Sequence, residues 1–79
     1  MKVLVSGTLA KYVFDDDETL IVEDNQIITA NYSIGDLNSS NSWVYTDVDD
    51  VPEDFEGNWY NFDGNNWVMT AEHPDYVEG

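Results

Sequence analysis

Residues 59–70 read WYNFDGNNWVMT. Four large aromatic side chains, Trp59, Tyr60, Phe62 and Trp67, flank the run Asp63-Gly64-Asn65-Asn66. Gly reaches positive φ without steric cost, and Asp and Asn side chains bond to backbone two residues on, so this run is a turn. Aromatic residues on both sides of a turn predict an antiparallel hairpin. Turn length sets which side chains meet. A two-residue Asp63-Gly64 turn would place Phe62 opposite Asn65 and Tyr60 opposite Trp67. A four-residue loop over 63–66 places Phe62 opposite Trp67 and Tyr60 opposite Met69. Only the second leaves no Asn facing an aromatic ring, and register follows the buried face. The four-residue loop is therefore expected, with Tyr60, Phe62, Trp67 and Met69 as core. Trp59, Asn61 and Val68 then share a half-exposed opposite face.

The same alternation of apolar runs and turn residues extends toward the N-terminus. KVLVSGTLAKYVF, residues 2–14, reads as one strand, long or broken, with Gly7 marking a bulge or bend. Asp15-Asp16-Asp17-Glu18 is too charged to bury and reads as a turn. TLIVED (19–24) and QIITANY (26–32) are β-branched runs joined by the turn pair Asp24-Asn25, which predicts a second hairpin. SIGDLNSSNS (33–42) reads as an exposed polar loop. WVYTDV (43–48) reads as a strand with Trp43 and Tyr45 on one face and Val44 and Thr46 on the other. Pro52 lacks a donor and restricts Val51, so regular structure stops there. The expected fold is all-β: a small, mostly antiparallel sheet, sandwich or open barrel of five to six short strands. Residues 1–70 are expected to form the single domain, and 71–79 a C-terminal tail, extended or mobile.

Charge is the extreme feature of the composition. Seventeen acidic residues stand against Lys2 and Lys11, with no arginine, for a formal net charge of −15 on 79 residues. A hydrophobic fraction of 42%, organised in runs, favours a folded domain over the disorder that such a charge would otherwise impose. Phosphate neutralisation needs clustered Lys and Arg, so direct nucleic-acid binding is excluded, as is an anionic membrane surface. Attraction to a basic protein remains, and salt weakens it. The absence of cysteine excludes disulfides and thiolate metal sites. Ser6, Gly7, Thr8 and Lys11 interrupt any signal-peptide core, which predicts a cytoplasmic or particle-bound protein rather than one exported by a signal peptide.

Little in the chain points to catalysis. His73 is the one histidine and is expected to be solvated. Asp15 to Glu18 and Asp47 to Asp50 offer oxygen ligands, yet neither they nor residues 63–66 match a calcium loop. No cofactor, metal site or enzymatic activity is expected. Trp43, Phe55 and Trp59 are the candidates for contact with a partner, because each is aromatic and lies beside a break in the strand pattern. Asp15, Asp16, Asp17, Glu18, Asp47, Asp49, Asp50, Glu53 and Asp54 are the candidate acidic surface.

The run DDVPEDFEGNWYNFDGNNWVMT (49–70) resembles a pattern at the C-terminal end of small tailed-phage proteins, cyanophage proteins among them. The residues that carry it are Val51, Pro52, Asp54, Phe55, Gly57, Tyr60, Phe62, Asp63, Gly64 and Trp67. The resemblance implies a phage origin and contributes no catalytic residue. The expected function is a non-catalytic protein-interaction module, virion-associated or accessory, that binds a virion or host protein or itself. The alternative is an acidic mimic of nucleic acid that occupies a basic groove on a host protein. A row of carboxylates on one side of the fold is the requirement of that alternative.

Overall fold

A computed structural model describes residues 1–77. Its elements are β1 (Lys2–Ser6), β2 (Leu9–Phe14), β3 (Ile21–Val22), β4 (Ile27–Ile28), β5 (Ser33–Ile34), β6 (Ser42–Tyr45), β7 (Tyr60–Phe62) and β8 (Trp67–Met69). They form a five-stranded sheet in the order β6-β1-β2-β7-β8 and a three-stranded sheet in the order β3-β4-β5, with antiparallel pairing throughout. The all-β expectation holds. The eight strands exceed the five to six expected because three are two-residue ladders and because residues 2–14 fold back on themselves.

That fold-back is the broken form of the strand expected over 2–14, with the bend at Gly7. Gly7, at φ 64°, turns the chain so that Ser6 lies opposite Leu9. The bulge falls four residues later, at Lys11. Leu4 pairs with Tyr12 and Val5 with Ala10, leaving Lys11 without a partner on β1. An extra residue on one strand reverses the side-chain alternation beyond it. Ala10 and Val13 consequently join one core, whereas Tyr12 and Phe14 stack at 6.0 Å on the other face.

The five-stranded sheet therefore carries a core on each face. Val3, Val5, Ala10, Val48 and Phe62 form the first core, over which the crossover from β6 to β7 lays Val51 and Phe55. Leu4, Phe14, Ile27, Ile34 and Leu37 form the second, beneath the small sheet. Ile34 and Leu37 come from residues 33–42, so the expected exposed loop instead supplies a strand and two core side chains. The apolar positions in that polar run are too few to stand out by periodicity.

Two turns match their expected chemistry. Phe62 pairs with Trp67 and Tyr60 with Met69, the register of the four-residue loop. Val22 pairs with Ile27, and Glu23 N–H bonds to Gln26 O at 2.8 Å, which leaves Asp24-Asn25 as a two-residue turn. On the hairpin face expected as core, Tyr60 and Phe62 are buried and Trp67 is half-buried, but Met69 is exposed at the end of edge strand β8.

Candidate functional site

Strand β6 is the feature of the surface with most recognition chemistry. It is an edge of the five-stranded sheet. Gly7 N–H bonds to Asn41 O, in register with Ser6–Ser42 and Val5–Trp43. Bonded and non-bonded pairs alternate along an antiparallel ladder, so Trp43 and Tyr45 exchange their backbone bonds with β1. The backbone N–H and C=O of Ser42 and Val44 then point away from β1, to the open edge. Trp43 leaves 65% of its surface exposed, more than any other aromatic residue among those described. A shallow groove of about 230 Å³ lies beside it, lined by Val22, Ser39, Ser42, Trp43 and Val44.

Acidic groups stand at both ends of this strand. Ser39, on the groove wall, donates from its backbone to Glu23 O at 2.9 Å and from its hydroxyl to Asp24 Oδ1 at 3.1 Å. Past Tyr45 the chain enters Asp47, at φ 58°, and the ladder resumes out of register with mutual bonds between Met1 and Val48. Asp49 and Asp50 follow. Residues 15–18 leave β2 at the same end, where the N-terminal ammonium bonds to Asp16 at 2.6 Å and Lys2 Nζ to Glu18 O at 2.6 Å. The acidic runs 15–18 and 47–50 thus meet around Met1, whereas 23–24 sits near the other end of β6.

The other two partner-contact candidates are more enclosed. Phe55 lies half-buried against the first core, 6.5 Å from the Tyr60 ring and 6.0 Å from Trp67. Trp59 is half-buried with its ring 4.8 Å from the His73 imidazole.

His73 itself corrects the expectation of a solvated histidine. It is 3% exposed. Nδ1 accepts the Asp75 backbone N–H at 2.9 Å, which puts the ring proton on Nε2, where Asp54 Oδ2 accepts it at 2.8 Å. The Tyr60 hydroxyl donates to Asp54 Oδ1 at 2.7 Å. Sequence gave no warning of this cluster, since its members lie at 54, 60 and 73 and carry no spacing motif.

This arrangement anchors the segment after β8. Thr70 bonds to Trp59 O through its N–H and to Asn58 O through its hydroxyl, and His73 closes the turn. Residues 78–79 of the tail lie outside the described residues. Asp54, His73 and Asp75 each offer a ligand atom within 4.8 Å of the others. Both ring nitrogens are already engaged, Nδ1 by an N–H that a metal cannot replace, so the geometry suits a hydrogen-bonded latch better than a metal centre.

The latch has a titration consequence. The Tyr60 hydroxyl bond to Asp54, with burial next, pushes the phenol from 10.0 up to about 12. The same bond, and then that from His73, holds the Asp54 carboxyl below the usual range. A pKa raised on folding contributes stability that is complete below the unfolded value and lost as pH rises through the folded one. Alkaline unfolding between pH 10 and 12 is therefore expected to be shallower in Tyr60→Phe than in the natural chain. Denaturation midpoints measured across that window, with an identical slope for both proteins, would count against the latch.

A second cleft, of about 580 Å³, lies where Lys11, Tyr12, Asp36, Phe55 and Glu56 meet. It holds one cation, Lys11, and two carboxylates, Asp36 and Glu56, and no serine, threonine or histidine lines it. Comparison with protein families, curated proteins and solved structures finds no match for this chain. The phage resemblance of residues 49–70 therefore rests on those residues alone.

Proposed function

We propose that this chain is a non-catalytic protein-interaction module whose partner is a basic protein. The observation that carries the reading is Trp43, 65% exposed on a free strand edge. A tryptophan held outside the core on a short domain gives up burial worth roughly 2–3 kcal/mol of a large apolar side chain. Exposed aromatic anchors of this kind concentrate binding energy at interfaces. A surface of −15 favours a cationic partner and opposes pairing of two copies, because like charges face each other across a symmetric contact.

The resemblance of the C-terminal hairpin supports a phage setting, as a small virion-associated or accessory protein acting in the host cytoplasm or on the particle. The scarcity of cations supports a partner that is neither nucleic acid nor membrane. A second reading, the nucleic-acid mimic, draws support from the meeting of runs 15–18 and 47–50 around Met1. Two observations weaken it: residues 23–24 lie elsewhere, and Asp54 is committed to Tyr60 and His73.

A pull-down from bacterial lysate tests the proposal, with the natural chain and Trp43→Ala as baits at low and high salt. The expected result is a basic protein captured at low salt, lost at high salt and lost with Trp43→Ala. Capture of a nucleic-acid enzyme indifferent to Trp43 would move the assignment to the mimic. Identical captures with both baits, insensitive to salt, would remove the basis for either reading.

A further inference from the structure

The geometry points to a specific mode of recognition: strand addition, in which an extended partner segment of alternating basic and apolar residues pairs with the open edge of β6. This rests on the interaction-module reading and specifies its site. Three features converge on it. The backbone groups of Ser42 and Val44 face outward, and among the described residues neither has a hydrogen-bond partner outside the sheet. An incoming strand would satisfy them at main-chain level, without regard to its sequence.

Side-chain selection comes from the two faces of β6. Successive residues of a strand point to opposite faces. Ser42 and Val44 project toward the groove that Val22 closes, and Trp43 and Tyr45 project to the other side. The groove of about 230 Å³, with Val22 and Val44 on its walls, suits an apolar side chain of the partner. The neighbouring partner residue lies over the Trp43 indole, whose face attracts a cation.

Charge complementarity identifies the occupant further. Glu23 and Asp24 stand at the Ser39 end of the groove, and Asp47 and Asp49 follow the Tyr45 end, whereas Asp50 accepts from the Trp67 indole at 3.2 Å. The four residues of β6 span about 13 Å at ~3.3 Å per residue. A cation on either side of a short apolar centre would therefore meet carboxylates at both ends. Edge strand β8 is free as well, with Val68 and Met69 exposed, but it is one residue shorter, and the groove of about 270 Å³ at Val68 is lined largely by the polar side chains of Thr8, Asn61, Asp63 and Asn66. A second copy of this chain is a poor occupant, since its own edges carry the same acidic flanks.

Synthetic peptides provide the test, using the intact protein. The aligned probe is acetyl-KVKVKVK-amide, which places Val on one face and Lys on the other. Its controls are acetyl-KKKKVVV-amide, of equal charge and composition, and the aligned peptide N-methylated at alternate residues. The aligned probe is expected to bind at least about tenfold tighter than either control, because only it supplies both the pattern and the main-chain donors. Amide exchange at Ser42 and Val44 should slow on binding, and Val22→Gln, which leaves the charge unchanged, should weaken the complex without loss of fold, since Val22 is 40% exposed.

Equal, salt-sensitive binding of the aligned and block peptides would overturn strand addition and leave the basic-partner reading standing. Protection of β8 amides in place of those of β6 would also overturn it. Failure of every cationic peptide to bind at low salt would remove both.

Discussion

Phe62→Ala is expected to cost about 3–5 kcal/mol, the range for deleting a buried aromatic ring. Phe62 is 1% exposed and belongs to the first core with Val3, Val5, Ala10 and Val48. Its ring stacks on Trp67 at 4.2 Å and meets the edge of Tyr45 at 5.2 Å. Removing it leaves a cavity between the hairpin β7–β8 and the central strands β1 and β2. The surrounding groups cannot all close in, because the crossover that carries Val51 and Phe55 packs on the same core. Domains of this kind hold only about 5–15 kcal/mol in total, so the variant should sit close to unfolding. At ~4–8 °C per kcal/mol, the midpoint should fall by at least about 12 °C. Urea denaturation followed by tryptophan emission reads the change directly, since the stacked Trp67 is one of the reporters. Phe62→Leu keeps most of the volume and should lose much less, because conservative core exchanges cost less than about 1.5 kcal/mol. An unchanged midpoint for Phe62→Ala would mean that the hairpin does not close the core.

The second large effect is expected at Gly64. Its φ of 100° lies where side chains are strained, and a Cβ there would stand 2.9 Å from Tyr45 Cε1. The Tyr45 ring cannot simply withdraw, because it packs edge-on against Phe62. Gly7 supplies an internal control. Its φ is 64°, yet a Cβ at that position meets nothing within 4 Å. Gly7→Ala therefore isolates the left-handed backbone cost, roughly 1–2 kcal/mol. Gly64→Ala adds the displacement of Tyr45, for a total of roughly 2–5 kcal/mol when an overpacking cost of 1–3 is included. Thermal midpoints of the two variants compare the sites. If Gly7→Ala were the more damaging, the approach of the hairpin loop to Tyr45 would be wrong.

The two glycines show how far local reading extends. Asp63-Gly64 and Gly7 are both recognisable as turn signals, but nothing local says that one faces an aromatic ring and the other open solvent. Asp63 is legible in the same partial way. Its carboxylate accepts the N–H groups of Asn66 and Asn65, which hold its pKa below the usual value. That is the side-chain bonding expected of Asp in a turn. The latch was illegible because a histidine in a polar tail carries no pattern, and its burial depends on Asp54 arriving from a crossover nineteen residues away.

Among the contact candidates, Trp43, Phe55 and Trp59 look alike in sequence, each an aromatic beside a strand break. The fold separates them. Phe55 is drawn against the first core by the crossover, Trp59 is half-covered by His73, and Trp43 stays out because β6 ends the sheet. Strand order is a property of pairing between distant segments, and it alone decides which strand is an edge.

What the sequence determined by itself is the β class, the acidic surface and the two hairpin registers at Asp24-Asn25 and Asp63–Asn66. These follow from β-branched and aromatic runs, carboxylate content and turn chemistry, all of which act within a few residues. Tertiary structure alone decided the rest. The bulge at Lys11 reverses the faces of β2, because a register shift of one residue changes every later side chain. The burial of Ile34, Leu37 and His73, the meeting of two acidic runs at Met1 and the open edge at β6 depend on contacts between segments far apart in the chain. Such contacts are selected by packing the whole core at once, and no window of neighbouring residues contains them.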